Sequence, residues 1–439
     1  MRPAVFLVAL SVLLLTGCHD SRGGQGRTED PWRGRPEDTG LERADSLVRR
    51  AVEDGLIPGA VLLVGKDGRT LVHRAYGHSL LYRWEDPRAG SAAYPPEPEL
   101  LPDPVPMSPG TVFDLASVTK VMATTMALML LVDRGEVQLD APVRTYLPRF
   151  RGSSRDSITV RHLLTHTSGL PQWLPLYYHA GSREEAYTRI RELPLEWGVG
   201  EGRHYSDLGF MLLGYLVERV VGLSLDRFLS RELYGPLGLT TLSFRPLQGP
   251  FAATSHGNPY ERRMVHDSAF GYQIPGDPGR WDGWRTRTLV GEVNDGNAHH
   301  AHQGLAGHAG LFGTARDLAV LLDLLLNRGT LNGRRLLKEE TVRIFLRPGP
   351  SGQALGWQAP DWAPLGSFSH SGFTGTFVLG VPNRDGGPKG GLALVLLTNR
   401  QNMGTGPDGR YADLAPLQEA VARAVLGLPL KSLTSKGLP

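Results

Sequence analysis

Residues 113–120 read FDLASVTK, with Ser117 and Lys120 three positions apart at the start of an apolar run. The lysine is the unusual letter. Of 47 basic residues only 6 are lysine, so arginine serves almost everywhere that a positive charge alone is needed. Arginine keeps its proton in a protein, whereas a lysine can be pressed to give it up. A lysine one helical turn from a hydroxyl therefore points to proton chemistry, because positions i and i+3 share a helix face. The start of a helix adds free N–H groups and a positive dipole end, which favour negative charge developing beside the serine. An ordinary surface lysine is the competing explanation, and one such pair is too weak a signal to exclude it.

The chain has 439 residues, 41% of them hydrophobic, enough for a large core. Its formal net charge is +3, and the arginines are interspersed with acids. Without a basic stripe interleaved with aromatics, nucleic acid is not an expected partner. The single cysteine rules out zinc-type cysteine spacing. That cysteine closes MRPAVFLVALSVLLLTGC, residues 1–18, which has the layout of a secretory signal with an apolar run too short for a comfortable spanning helix. Leu15-Thr16-Gly17-Cys18 resembles a bacterial lipobox. It implies removal of residues 1–17, acylation of Cys18, and anchoring of the secreted chain to a membrane through its lipid. With His19 next, that membrane would be the outer one, on its periplasmic face, if the cell has two. A plain cleaved signal with an incidental cysteine is the alternative. Residues 18–40 lack apolar periodicity and read as a flexible tether.

Leu41, Ala44, Leu47, Val48, Ala51 and Val52 recur at helical spacing up to Gly55. Two β-rich runs around Lys66-Asp67-Gly68 predict a hairpin. The proline-heavy residues 78–110 read as a long surface excursion, and residues 246–304 as loop-built. A helix is expected from Thr314 to Asn327, with Thr314 as N-cap and Asp317 closing a capping box. Two strands, FTGTFVLGV and GLALVLLTN, and a helix over 417–426 end the pattern. Strands at both termini with helices between them predict an α+β fold: an antiparallel sheet assembled from both chain ends, flanked by helices, with a mostly helical insertion. The sheet lobe would take about 41–115 and 310–430, the helical lobe about 116–309, and a cleft between them is the place for a site.

Three stretches fall where that cleft would be: Ser117-Val118-Thr119-Lys120, then Tyr205-Ser206-Asp207 ahead of a helix, then His370-Ser371-Gly372-Phe373 opening a terminal strand. In this order they resemble the three motifs of the penicillin-binding protein and class C β-lactamase superfamily. ITVRHLLTHTSGLP at 158–171, GEVNDGNA, and GLAGHAGLFGTARDLAVLL at 304–322 resemble its branch containing penicillin-binding protein 4B and related esterases. The resemblance spans about residues 41–426. It implies the matching two-lobed fold and no cofactor or metal. It makes Ser117 the acylated nucleophile, with Lys120 and Tyr205 sharing general base and acid work. The N–H groups of Ser117 and Phe373 would form the oxyanion hole, a contribution often worth about 3 kcal/mol per donor. His370 would line the opposite wall and donate to Tyr205 or meet the substrate, and Gly372 would let a ligand approach the strand.

Two departures from the family pattern matter. His370 stands where a lysine is usual, so the permanent charge that greets a substrate carboxylate is weakened. Asp207 stands where an asparagine normally grips a substrate amide; a carboxylate cannot donate to one. Near Lys120 it would favour the ammonium, leaving Tyr205 as the base, and it hints at ester substrates. The expected activity is a serine hydrolase of D-Ala-D-Ala stem-peptide ends or of small esters. A β-lactamase, or an idle lipoprotein that binds wall fragments or a β-lactam, is the alternative.

Other residues tempt less. The histidines of AHHAH at 298–302, with Asp295 near, could suggest a metal, but histidines in a glycine-rich loop are more often solvated or capping. Asp295 and His308 read equally as cleft wall or as structural loop. His162 and His166 read as fixing backbone, Trp281 and Trp284 as packing under a loop, and Met122, Met126 and Met129 as core filler.

Overall fold

Apolar runs from the two ends of the chain pair with one another in one antiparallel sheet. The computed structural model describes residues 36–86, 96–271, 277–349, 351–383 and 390–430; the signal, Cys18 and most of the expected tether lie outside the described residues. Strands β1 (Gly59–Lys66), β2 (Arg69–Arg83) and β3 (Glu99–Pro106) come from the N-terminal part. Strands β4 (Phe368–Ser371), β5 (Phe377–Pro382) and β6 (Gly391–Thr398) come from the C-terminal part. Their order is β4-β5-β6-β1-β2-β3, joined where Ala60 faces Thr398 and Lys66 faces Leu392. The β1–β2 turn takes positive φ at Asp67 (54°) and Gly68 (75°), as a tight hairpin requires.

Strand alternation sorts the core into two. Leu62, Val64, Leu394 and Leu396 face helices α1 (Pro36–Glu53) and α5 (Ala415–Val425), which cross at Gly40. A Cβ at Gly40 would stand 2.6 Å from the Ala424 carbonyl oxygen, so glycine sets how closely the helices approach. Val61, Leu63, Val395 and Leu397 face the other way, into the large cluster shared with helix α4 (Ala315–Leu326) and the helical lobe. There a wide, π-type turn at Lys120–Thr125 continues into α2 (Met126–Asp133), whose Met122, Met126 and Met129 are fully buried core. Helix α3 (Asp207–Val221) packs beside it. Among the described residues no single helix is long and apolar enough to cross a membrane.

The structure corrects several expectations. Helix α1 begins at Pro36, inside the segment read as tether, with proline near its start where a missing N–H costs nothing. The proline-rich excursion partly folds as the edge strand β3. Prolines 102, 104 and 106 are two apart, so the missing N–H groups all fall on one side, the open edge, while Met107 N–H still donates to Gly77 O at 2.9 Å. Asp317 does not close a capping box: Thr314 caps α4, but the Asp317 carboxylate accepts from Thr241 N–H and hydroxyl, both at 2.8 Å. His370 lies in a strand of its own, β4, and Gly372–Gly375 form the turn into β5.

Candidate active site

Ser117 is presented by a constrained bend. Phe113–Asp114 pairs with Leu311–Gly313, and two residues later Ala116 adopts φ 45°, a left-handed conformation costly for a residue with a side chain. Asp114 holds the bend: its carboxylate accepts Ala116 N–H at 2.9 Å and Asn294 N–H at 2.6 Å. Complete burial pushes this carboxyl up to about 6 in spite of those two N–H groups. Asp114 stood in the opening stretch unnoticed, because only the fold reveals that its partners are backbone donors.

The helix that follows brings Lys120 under the serine. Its buried Nζ lies 2.9 Å from Ser117 Oγ, 3.2 Å from His308 O and 2.7 Å from Asp207 Oδ1, and 5.0 Å from the centre of the Tyr205 ring. Burial disfavours its charge, but Asp207 and Tyr205 outweigh burial and hold the ammonium above the ordinary lysine range. Asp207, at a position expected to meet substrate, lies against the lysine, where the sequence also predicted that it would favour the ammonium. Ser206 supplies the N-cap of α3, accepting from Gly209 N–H at 3.2 Å, which places Asp207 in the helix's first turn, where a carboxylate is favoured.

Tyr205 is set by His166. The His166 ring lies 4.4 Å from the Tyr205 ring, and its Nδ1 accepts Ser206 N–H at 3.0 Å. Burial, with Lys120 nearby, keeps His166 neutral, well below the usual histidine range. His162 closes a capping box with Thr159, so both histidines fix backbone.

The opposite wall is the β4–β5 turn. His370 is buried, its ring centre 6.2 Å from that of Tyr205. Its Nδ1 sits 2.8 Å from Ser371 O, so Nδ1 carries the proton and Nε2 is an acceptor, without a protein partner. It therefore cannot donate to Tyr205. Burial and the Lys120 charge push it down to about 3. Gly372 is needed for internal closeness rather than ligand approach: a Cβ there would meet Thr376 Oγ1 at 2.2 Å and Leu115 O at 2.5 Å. Thr374 and Thr376 donate to Asp114 O (2.8 Å) and Leu115 O (3.0 Å), latching the turn to the strand before Ser117. Arg400 grips Phe373 O through Nε (3.1 Å) and Nη2 (2.6 Å). Among the described residues, neither Ser117 N–H nor Phe373 N–H is given to an acceptor within the chain, which suits a pair of oxyanion donors.

Asp295 and His308 sit at the base of this site, His308 Nε2 2.9 Å from Asp295 Oδ1. Burial would raise the Asp295 carboxyl, but His308 holds it below the usual range. Asp207, Asp295 and His308 offer ligand atoms within 4.8 Å of one another. The place a cation would take beside Asp207 is filled by the Lys120 ammonium. The histidines of 298–302 do not converge. His302 bridges Asn297 O (2.8 Å) and Tyr215 OH (2.6 Å), while His300 joins Tyr177 and Trp281 in an aromatic cluster. Trp281 and Trp284 pack in that cluster with their centres 4.7 Å apart.

Residues 44–418 match the family model described as Beta-lactamase. The chain is 34% identical to the N-acetylmuramyl-L-alanine amidase of Bacillus subtilis, covering 82% of this chain and 81% of that one. It is 32% identical to a putative D-alanyl-D-alanine carboxypeptidase of Salmonella schwarzengrund, covering 82% of each. Among solved structures, EstCE1, a hydrolase with promiscuous acyltransferase activity, superposes with a TM-score of 0.61 at 21% identity, over 89% of this chain and 99% of that one.

Proposed function

The chain belongs to the β-lactamase family, and from that premise we propose that it hydrolyses an amide bond of the peptidoglycan stem peptide through an acyl-enzyme on Ser117. The observation that carries this reading is Lys120 Nζ, held charged by Asp207 at 2.7 Å and placed 2.9 Å from Ser117 Oγ. A lysine kept as ammonium cannot take the serine's proton, so that proton passes to Tyr205, whose phenolate the ammonium stabilises. Ser117 Oγ attacks the carbonyl carbon, and the oxyanion falls to the N–H groups of Ser117 and Phe373. Collapse breaks the C–N bond as Tyr205 returns the proton to the leaving nitrogen, and water then cleaves the ester by the same route. Because Asp207 serves Lys120, its replacement of asparagine does not select esters over amides. The activities of the relatives support a wall-derived amide, a D-Ala-D-Ala end or a muramyl–L-alanine link. The N-terminal sequence supports work at the cell envelope, on a lipid anchor at Cys18.

The test is product analysis of the chain from residue 19 onward, given a diacetyl-Lys-D-Ala-D-Ala peptide and N-acetylmuramyl-L-alanyl-D-isoglutamine. Release of D-alanine or of N-acetylmuramic acid is expected, falling at least ~10³-fold in Ser117→Ala. Turnover of a p-nitrophenyl ester alone would move the reading to an esterase, and an unchanged rate in Ser117→Ala would discard the acyl-enzyme.

A further inference from the structure

The third motif brings no cation to this cleft, since its histidine is buried and its Nδ1 proton is committed to Ser371 O. A positive charge stands instead two residues before Tyr205. The Arg203 guanidinium carbon lies 5.8 Å from the Tyr205 ring centre. Its Nε donates to Gln353 Oε1 at 2.8 Å, and Gln353 is itself buried and tied through Nε2 to Ala354 O (3.0 Å) and Trp357 O (2.9 Å). One edge of the guanidinium is thus fixed by a rigid anchor. Arg134, Arg161 and Arg183 each pair with a carboxylate, but Arg203 has no such partner among the described residues. The residue is exposed, and its positive charge is among the influences that disfavour protonation of His166 and His370.

We propose that Arg203 receives a carboxylate on the leaving side of the substrate. The step rests on the reading above, in which Tyr205 returns the proton to the leaving nitrogen, so the leaving fragment lies beside Tyr205 and therefore beside Arg203. In an amino acid the nitrogen and the carboxylate carbon are about 2.5 Å apart, short enough for one residue to meet Tyr205 and Arg203 together. A planar guanidinium anchored through Nε still presents paired N–H groups, which match a carboxylate. The enzyme then prefers a terminal amino acid as leaving group, one whose α-carboxylate is free. The charge that the family sets on the third motif has moved here to the second.

The test uses two N-acylglycyl thioesters that differ only in the leaving thiol: thioglycolate, with a free carboxylate, and thioglycolamide. Wild type should favour the thioglycolate at least ~tenfold in kcat/KM. In Arg203→Gln that ratio should fall close to one, and Arg203→Lys should keep part of it. A ratio is read on whatever fraction of protein folds, so a poorly folding variant does not imitate the result. No preference in wild type, or an undiminished preference in Arg203→Gln, overturns the proposal. Both thioesters need only acylation of Ser117. A preference that depends on Arg203, without hydrolysis of either wall peptide, would therefore sink the substrate reading and leave Arg203 in its role.

Discussion

The two walls of the cleft handle charge in opposite ways. On the serine wall Lys120 sits between Asp207 and the Asp295–His308 pair, so fixed charges of opposite sign are packed within hydrogen-bond distance. On the β4–β5 wall His370 is neutral, its Nε2 a buried acceptor without a partner, and the Phe373 N–H is not given to an acceptor among the described residues. One wall holds permanent charges; on the proposed reaction the other would offer only dipoles, to a charge that exists during the reaction alone. The division follows from the side chains: the far wall carries a histidine in place of the usual lysine, and burial disfavours its charged form.

The sharpest way to break this contrast is to remove the phenol. Tyr205→Phe should slow acylation by ~10²–10⁴-fold if Lys120 is locked as an ammonium, because an ammonium beside Ser117 Oγ cannot take the serine's proton. The measurement is the rate of adduct formation by quenched-flow mass spectrometry with an activated ester. Near-normal acylation in Tyr205→Phe, beside a dead Lys120→Met, would make the lysine the base and the charged wall something other than a clamp.

A smaller effect is expected on the neutral wall. Gly372→Ala puts a methyl 2.2 Å from Thr376 Oγ1 and 2.5 Å from Leu115 O, and the turn that carries Phe373 N–H must move. Acylation should fall by about 10- to 100-fold, less than loss of a whole oxyanion donor, with the pH profile unshifted because the Lys120 wall is untouched. A shifted profile would show that the walls are electrostatically coupled after all.

How much of this was legible beforehand differs between the walls in the same way. Ser117, Lys120, Tyr205 and Asp207 lie on or beside helix starts, where spacing along the chain fixes spacing in space, and the structure brings them together. The joining of β1 to β6 was also legible, as matching apolar runs at the two ends. What was not legible depends on partners far along the chain. Asp114 could be valued only once Asn294 N–H was seen to reach it, and Gly372 only once Leu115 O stood behind it. His370 kept its place but lost its expected role as donor, because tautomer follows from one carbonyl, Ser371 O, whose direction no motif encodes. The prolines of β3 misled for a related reason. Proline argues against a central strand, and only the strand order shows that β3 is an edge.

The least conspicuous prediction tests whether the far wall is truly uncharged. A free histidine titrates near 6.5, and burial with Lys120 nearby pushes His370 down to about 3 in the folded chain. Between those values the unfolded chain binds a proton that the folded chain refuses, so stability must fall as pH drops below about 6.5. From pH 7 to pH 5.5 the loss traceable to this one ring is about 1 kcal/mol. His166, His256 and His302 are depressed in the same direction, so the total slope does not isolate it. Comparison with His370→Gln does, since the amide can donate to Ser371 O and keep an acceptor without titrating. Urea unfolding at the two pH values should show the variant losing about 1 kcal/mol less than wild type. Equal losses would mean that the folded protein already accepts a proton at His370 by pH 5.5, and that the β4–β5 wall carries a cation of its own.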